Sequence, residues 1–530
     1  MKPRHWLFLF LAALTGFRLL LAAGYELSSD ECYYYLWSQH PALSYFSKGP
    51  GVAVAIGAST ALFGPTEFGV RFFSPLLALG TSLIVFFFSR RVYNERVALW
   101  TVLLLNAIPI FNVGAVVMTI DPLSIFFWAA SVYTFWLALE NSPAFSWWWP
   151  FTGLLIGLGF LAKYTNAMEL VSILILLGST RRYRRELLGA GFWSMLVIAL
   201  LCTIPVIVWN QQHAWITLEH LSARGGLNTG FALHPGAFLQ FLGGHCLVYS
   251  PLVFIGLLWS LWWAWERGRL QLKPRFLGAF AAPLLVMYAV LALKTPGEPN
   301  WTAPAFISLG ILGTALWLER IEHNVLLRRF AAGALVLALA MTTVALNTDL
   351  LRVLRVSLSY ESDPGSRLRG WQTGAAAIQQ FRREFEQQAG KPVFLIGNKY
   401  QTASSLAFYM TDHRVEGPGH PQVYIPESQN IENQFSFWPR YDEFDAPAPG
   451  SAPQPQDAYY TEEQGVNLFE GRSALYVTDE SKTGAERPPS TIERGFERVE
   501  LIRLFRIERR GEPLRDLRVF ACYNYHTLSL

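Results

Sequence analysis

The stretch VALWTVLLLNAIPIFNVGAVV (97–117) holds no charged side chain over a length that, as a helix, crosses the hydrocarbon core of a bilayer. No other feature narrows the fold so far. In lipid, every backbone amide has to be satisfied inside its own segment or in a closed barrel, and runs this long point to helices. Eleven spans are read: 6–24, 68–89, 97–117, 122–139, 147–162, 167–179, 189–209, 241–262, 276–293, 301–318 and 330–347. GVAVAIGASTALF (51–63) is as apolar but too short, and reads as an interfacial or re-entrant helix. Of the 530 residues, 52% are hydrophobic and 15% charged, well under the charged share of a soluble domain. The first run is longer than the apolar part of a signal peptide and reads as an uncleaved anchor.

Charge settles the expected orientation. With the N-terminus in the cytoplasm, Lys2, Arg4, Arg90, Arg91, Arg96, RRYRR (181–185), ERGRLQLKPR (266–275) and ERIEHNVLLRR (319–329) fall on one side, sixteen Lys and Arg together. The opposite loops carry few: Lys48, Lys163, Arg224 and Lys294. The positive-inside rule then predicts a polytopic α-helical membrane domain over 1–348, with outer-face loops at 25–67, 210–240 and 294–300. Residues 349–530 follow on the outer side. In a bacterium this is a multi-pass protein of the cytoplasmic (inner) membrane with a periplasmic C-terminal domain.

That second part changes character. Charged residues, Pro and Gly become frequent, and no spanning run remains. A helical pattern at 372–389 leads to a strand at 392–400 and a helix at 402–410. Further strands are read at 472–480, 496–507 and 517–525, separated by a Pro-rich loop at 445–457. Strands mixed with helices over this length predict a soluble α/β domain. A GxGxxG phosphate loop is absent, and Gly157 and Gly159 inside an apolar run read as helix packing.

Ionisable and polar residues collect at the predicted outer face: Asp30, Glu31, Lys48, Asp121, Lys163, Tyr164, Arg224, His245, Lys294, Glu298, Asn300 and Trp301. Such residues are costly at membrane depth and are kept for pairing or function. The Asp30–Glu31 pair is a loop pair or a helix N-cap on one reading; on another, Asp30 accepts the proton of an attacking hydroxyl while Glu31 orients the acceptor or tunes the charge. Lys48, in the turn FSKGPG, is a point charge suited to a phosphate leaving group, or an interfacial lysine among headgroups. Asp121 stands where a helix begins before Pro122, so capping competes with chemistry there. For Lys163, snorkelling is the alternative. Trp301 and other interfacial tryptophans can stack on sugar or isoprenoid, as well as anchor the belt. The histidines have no metal-ligand spacing, so a divalent metal is conceivable but unsupported, and no cofactor is required.

The order of these elements resembles the integral-membrane glycosyltransferases of the GT-C type, nearest to bacterial relatives of protein O-mannosyltransferase and of the lipid A aminoarabinose transferase. The resemblance rests on the first span, on DE at 30–31 followed by Tyr33 and Tyr34, and on SYFSKGP. It continues through Arg71, MTIDPLSIFFW (118–128), GLGFLAKYTNAM (157–168), IPVIVWNQQHAW (204–215), GEPNWTAPAF (297–306) and KYQTASSLAFYM (399–410). It implies transfer of a sugar, with inversion, from a polyprenyl-phosphate donor to a lipid, glycan or protein acceptor at the outer membrane face. Asp30 matches the catalytic acidic position, Asp121 the second acidic site and Lys48 the basic position near the donor phosphate, with Arg224 and Lys294 as further phosphate contacts. Tyr33, Tyr34, Lys163, Tyr164, His245, Glu298, Asn300 and Trp301 are then substrate-binding candidates, and Glu31 a catalytic one. One departure is plain: aminoarabinose transferases typically read Glu-Lys-Pro around the lysine, and here the order is Ser47–Lys48–Gly49–Pro50.

The rival reading is a lipid or solute transporter with an outer-face cavity. Transporters place polar groups near the midplane and show internal halves, whereas the ionisable residues here gather at one face. Membrane lipids are expected partners, and nothing points to nucleic acid.

Overall fold

A computed structural model describes residues 3–225, 233–268, 271–353, 355–356, 358–359, 362–442, 467–479 and 487–528. The chain divides into two compact units, Met1–Gly24 with Pro41–Leu354, and Tyr25–His40 with Arg355–Leu530. The segment 25–40, read from hydropathy as part of an outer loop of the membrane domain, clusters with the second unit. The predicted Pro-rich loop at 445–457 lies outside the described residues, as do residues 226–232 of the 210–240 loop.

Among the described residues, the regular structure of the first unit is all helical. Among the described residues, six helices are long and apolar enough to cross a membrane: Pro3–Gly24, Glu67–Val92, Ile120–Glu140, Ala190–Gln212, Leu272–Leu291 and Val325–Leu346. A seventh is added if Pro235–Tyr249 and Pro251–Gly268 are taken as one bent span. The other apolar segments are shorter helices, including Trp148–Ala162, Met168–Ser179 and Ala305–Ile321. Eleven is thus a count of apolar segments, not of helices long enough to span. Gly51–Phe63 is a 13-residue helix, of the length that its hydropathy suggested.

Several of the predicted spans are interrupted, among them 97–117 and 241–262. The 97–117 run folds as Glu95–Leu105 and Pro109–Gly114, broken where Pro109 cannot donate to the preceding turn. The break is filled by polar groups from elsewhere. Arg18, buried in the first helix, donates from Nη2 to Asn106 Oδ1 at 2.9 Å and to Asn112 Oδ1 at 2.6 Å. Asn106 in turn donates to Ser82 Oγ, and Asn112 to the Asn106 carbonyl. The 241–262 run bends by 109° at Ser250, which adopts φ +66° ahead of Pro251. Proline bars its predecessor from the helical region, so hydropathy continues across this point where the helix cannot.

Close packing follows the small residues. A Cβ at Gly153 would stand 2.1 Å from the Met195 carbonyl oxygen, and one at Gly157 2.4 Å from Cys202 Cβ, so glycine lets the Trp148–Ala162 and Ala190–Leu201 helices touch. Around them the buried core is rich in aromatic rings, with Phe135 wedged between Trp149, Phe276 and Phe280.

The second unit is built on a four-stranded sheet of β1 (Phe394–Gly397), β2 (Ala474–Asp479), β3 (Phe496–Arg509) and β4 (Glu512–Tyr525), in the order β1-β2-β4-β3. β1 and β2 run parallel; β4 pairs antiparallel with β2 and with β3. The β3–β4 hairpin closes through Arg510 and Gly511, both at positive φ, the conformation that a two-residue hairpin turn demands. The longer helices described in this unit are Trp371–Ala389, Tyr400–Tyr409 and, from far upstream, Ser29–Gln39. The last is tied in by Tyr33, whose hydroxyl accepts the Gln434 N–H at 2.6 Å and whose ring packs on Tyr400 and Phe435.

Candidate functional site

In the first unit, the polar residues singled out in the sequence assemble around one carboxylate. The Ile120–Glu140 helix is capped by Thr119, whose Oγ1 accepts the Asp121 N–H. Asp121 is therefore released from capping, and its side chain is used on both oxygens. Lys163 Nζ donates to Oδ1 at 2.7 Å, and Asn300 Nδ2 donates to Oδ2 at 2.7 Å. Lys163 reaches it from the extended residue between Trp148–Ala162 and a 3-10 turn, Tyr164–Ala167. Its ammonium does not snorkel: the side chain is 7% exposed, against 16% for Asp121. Asn300 comes from a second 3-10 turn, Pro299–Thr302, just ahead of Ala305–Ile321. Helix ends with their ladder interrupted thus supply all three groups.

The Lys48 turn lies against the same helix end. Gly49 and Gly51 pack on Leu161 and Ala162, and a Cβ at Gly49 would stand 2.3 Å from the Leu161 carbonyl oxygen. The turn is closed by the Tyr45 N–H and the Ser44 hydroxyl, both donating to the Lys48 carbonyl. Ser44 also meets the Tyr164 hydroxyl at 3.1 Å, joining the Lys48 turn to the residue after Lys163.

The Ile216–Arg224 helix adds further cationic character. His220 packs its ring on Phe46, with centroids 4.5 Å apart. Burial, reinforced by the charges of Lys48 and Arg224, pushes the His220 imidazole down to about 4, so it is neutral at physiological pH. The Arg224 guanidinium lies over the Trp301 ring at 5.1 Å, and Trp301 also packs on Tyr288. Lys48 and Arg224 thus both act on His220, Arg224 lies over the Trp301 ring, and Asn300 beside it binds the Asp121 that holds Lys163. Such a set can hold a phosphate and a sugar.

Other candidates occupy different places. His245 is buried, with Nδ1 on the Phe241 carbonyl and Nε2 on Thr302 Oγ1, so its ring supports the turn that carries Asn300. Glu298 is exposed, and Lys294 half-buried, on the loop leading into that turn. Asp30, Glu31, Tyr33 and Tyr34 all lie on Ser29–Gln39 in the second unit. The N-cap there is Ser28, not Asp30. Glu31 closes a capping box, its Oε2 accepting from the Ser28 N–H and Oγ, and it is fully buried. Asp30 is exposed, with Oδ1 accepting from the Tyr400 hydroxyl at 3.4 Å. Tyr33 and Tyr34 are buried among aromatic rings of their own unit.

Sequence reading passed over Ser44 and Thr302, whose hydroxyls fix Lys48, Tyr164 and His245. Their only signal was position, four residues before Lys48 and two after Asn300. Among the described residues, no group of three or more His, Cys, Asp or Glu is arranged to hold a metal ion.

Broken apolar helices whose polar turns meet at one carboxylate, followed by a separate α/β unit, have counterparts among known membrane proteins. Residues 47–209 match the family described as dolichyl-phosphate-mannose-protein mannosyltransferase. A lipid A galacturonosyltransferase, RgtD, of Rhizobium johnstonii is 26% identical over 295 residues, 54% of this chain and 60% of that protein. An undecaprenyl phosphate-alpha-4-amino-4-deoxy-L-arabinose arabinosyl transferase of Pseudomonas paraeruginosa is 28% identical over 313 residues, 57% of this chain and 55% of that protein. The chain therefore spans a little over half the length of the curated relatives it matches. In three dimensions it is similar to ArnT from Cupriavidus metallidurans bound to undecaprenyl phosphate, with a TM-score of 0.59, 17% identity and 98% of each chain covered.

Proposed function

We propose that this protein transfers a sugar from a polyprenyl-phosphate carrier to a lipid, glycan or protein acceptor at the outer face of a bacterial cytoplasmic membrane. The observation that carries the reading is the grouping of Lys48, Arg224 and Lys163 around Asp121, Asn300 and Trp301 within the membrane unit. A relative named for a lipid A substrate, and another named for an undecaprenyl-phosphate sugar, support both the donor class and the enzyme class.

In this reading the donor phosphate meets Lys48 and Arg224, and Trp301 offers its ring to sugar or isoprenoid. The acceptor oxygen attacks the anomeric carbon, the bond from that carbon to the phosphate oxygen breaks, and the configuration inverts. Charge develops on the departing polyprenyl phosphate, where fixed cations stabilise it. Asp30, an exposed carboxylate at the first turn of its own helix in the second unit, is by itself able to accept a proton from a hydroxyl, the base role that Asp30→Asn tests. Glu31, held in the capping box, positions that turn. Asp121 is bonded on both oxygens, so it orients Lys163 and Asn300 instead of taking up a proton.

The test is sugar transfer from polyprenyl-phosphate donors in membranes carrying Asp30→Asn. Turnover is expected to vanish while donor binding and expression persist. Full turnover in that variant removes Asp30 from the base role. Orientation is checked separately: a reporter joined at residue 360 is expected to be active only outside the cytoplasm.

A further inference from the structure

The membrane unit carries a concavity that the proposed transfer does not use. The Glu95–Leu105, Pro251–Gly268, Ala305–Ile321 and Val325–Leu346 helices leave a groove of about 530 Å³ between them, within the size range of small-ligand pockets. Its wall is apolar, and Thr314 is the one polar side chain in it apart from two arginines. Those arginines, Arg96 and Arg328, each stand in the first turn of their helices, Glu95–Leu105 and Val325–Leu346. The groove opens sideways, since Trp100 and Val336 on its rim are exposed. Trp317 lines it with its indole N–H already donated to the Gly256 carbonyl, leaving an apolar face.

The dimensions select an occupant. From Arg96 to Leu104, and again from Arg328 to Val336, the groove runs eight residues of helix, about 12 Å. That is close to the half-thickness of a bilayer's hydrocarbon core, about 15 Å. One acyl chain of a single leaflet fits this depth, while a long polyprenyl chain exceeds it. Its arginine end also stands at the opposite end of Ala305–Ile321 from the Asn300 turn, about 25 Å of helix away. A donor whose phosphate sits by Lys48 does not place its headgroup here.

Charge narrows the choice again. Arg96 is ion-paired with Glu322, which fixes the guanidinium at the rim. Arg328, also lining the groove, is exposed, with Arg329 next in the chain. Basic pockets between helices at an arginine-rich membrane face suit anionic headgroups. We infer that this groove binds an anionic diacyl phospholipid, with one acyl chain along Trp317 and the phosphate at Arg96 and Arg328, in the leaflet opposite the Asp121–Lys163 cluster.

Full-length protein in mild detergent, stripped until native mass spectra show no retained lipid, provides the test. It is titrated with phosphatidylglycerol, phosphatidylcholine and undecaprenyl phosphate. Phosphatidylglycerol is expected to bind at least about tenfold tighter than phosphatidylcholine. Arg328→Gln, an exposed substitution, is expected to lower that affinity about tenfold, and Ala331→Trp to block the groove, with thermal unfolding of Arg328→Gln unchanged. Equal binding of the two phospholipids overturns the proposal, as does unaltered phosphatidylglycerol binding in both variants. Undecaprenyl phosphate displacing phosphatidylglycerol and losing affinity with Ala331→Trp likewise overturns it. Sugar transfer is not the readout, so failure of the transferase reading leaves this result standing.

Discussion

Lys163 Nζ lies 2.7 Å from Asp121 Oδ1, with both side chains withdrawn from solvent. Two charges so placed are strongly coupled, and removing one leaves the other buried without its partner. Lys163→Met is expected to destabilise the membrane unit by about 3 kcal/mol. Asp121→Asn combined with Lys163→Met is expected to recover at least half of that loss. Detergent unfolding curves of the single and double variants measure the coupling. Losses that simply add would show that the pair is not a unit.

Gly49 is a second point of leverage, because backbone fills the space where its side chain would be. Gly49→Ala pushes a methyl group against the Leu161 carbonyl and shifts the turn that presents Lys48. A loss of about 2 kcal/mol is expected, together with weaker donor binding. Alanine accepted with unchanged unfolding and unchanged donor affinity would mean that the turn moves freely.

Lys48 and Arg224 are expected to separate from Asp30 in kinetics. Charge-assisted contacts to phosphate contribute about 1.5–3 kcal/mol, so Lys48→Ala should weaken donor binding roughly 10- to 100-fold. Arg224→Ala should have the smaller effect, since that guanidinium is exposed and part of its contact is with Trp301. Donor titrations of purified variants decide. Unchanged affinity and turnover in Lys48→Ala would identify it as a headgroup anchor.

In the second unit, the buried Glu427 carboxyl stands beside Tyr525 and near Tyr441, and burial pushes it up to about 7. The folded state therefore holds a proton that the unfolded chain, with the ordinary glutamate value of 4.5, releases. Its contribution is complete below that value and is lost as pH rises through about 7. Glu427→Gln, which keeps the neutral form, is expected to flatten the fall in stability between pH 5 and 8. Thermal unfolding against pH checks the slope, and a wild-type slope in the variant would refute the assignment.

Much of the second unit was legible in advance because strands and helices write their periods into the sequence. Val477, Val519 and Phe520 sit where the strand pattern placed them, and Trp371–Ala389 starts one residue from its predicted boundary. In the membrane unit, hydropathy reports composition and is blind to direction. It carried 241–262 straight through Ser250, although Pro251 marks the bend. The outer-face list contained Asp121, Lys163 and Asn300, yet their pairing depends on three chain breaks that come together from distant positions. Asp30 and Glu31 were read as one pair. The capping serine two residues upstream separates them, burying one carboxylate and leaving the other exposed.

Arg18 has a consequence for biogenesis. The Pro3–Gly24 helix carries a guanidinium whose two acceptors, Asn106 and Asn112, are synthesised 88 and 94 residues later. A lone arginine at the middle of a bilayer helix costs about 2.5–3.5 kcal/mol on insertion scales. Until those asparagines arrive, Pro3–Gly24 is poorly suited to free lipid and is best retained beside the translocon. The asparagine-lined break in the later segment then serves as its dock, and the order of synthesis becomes an order of assembly.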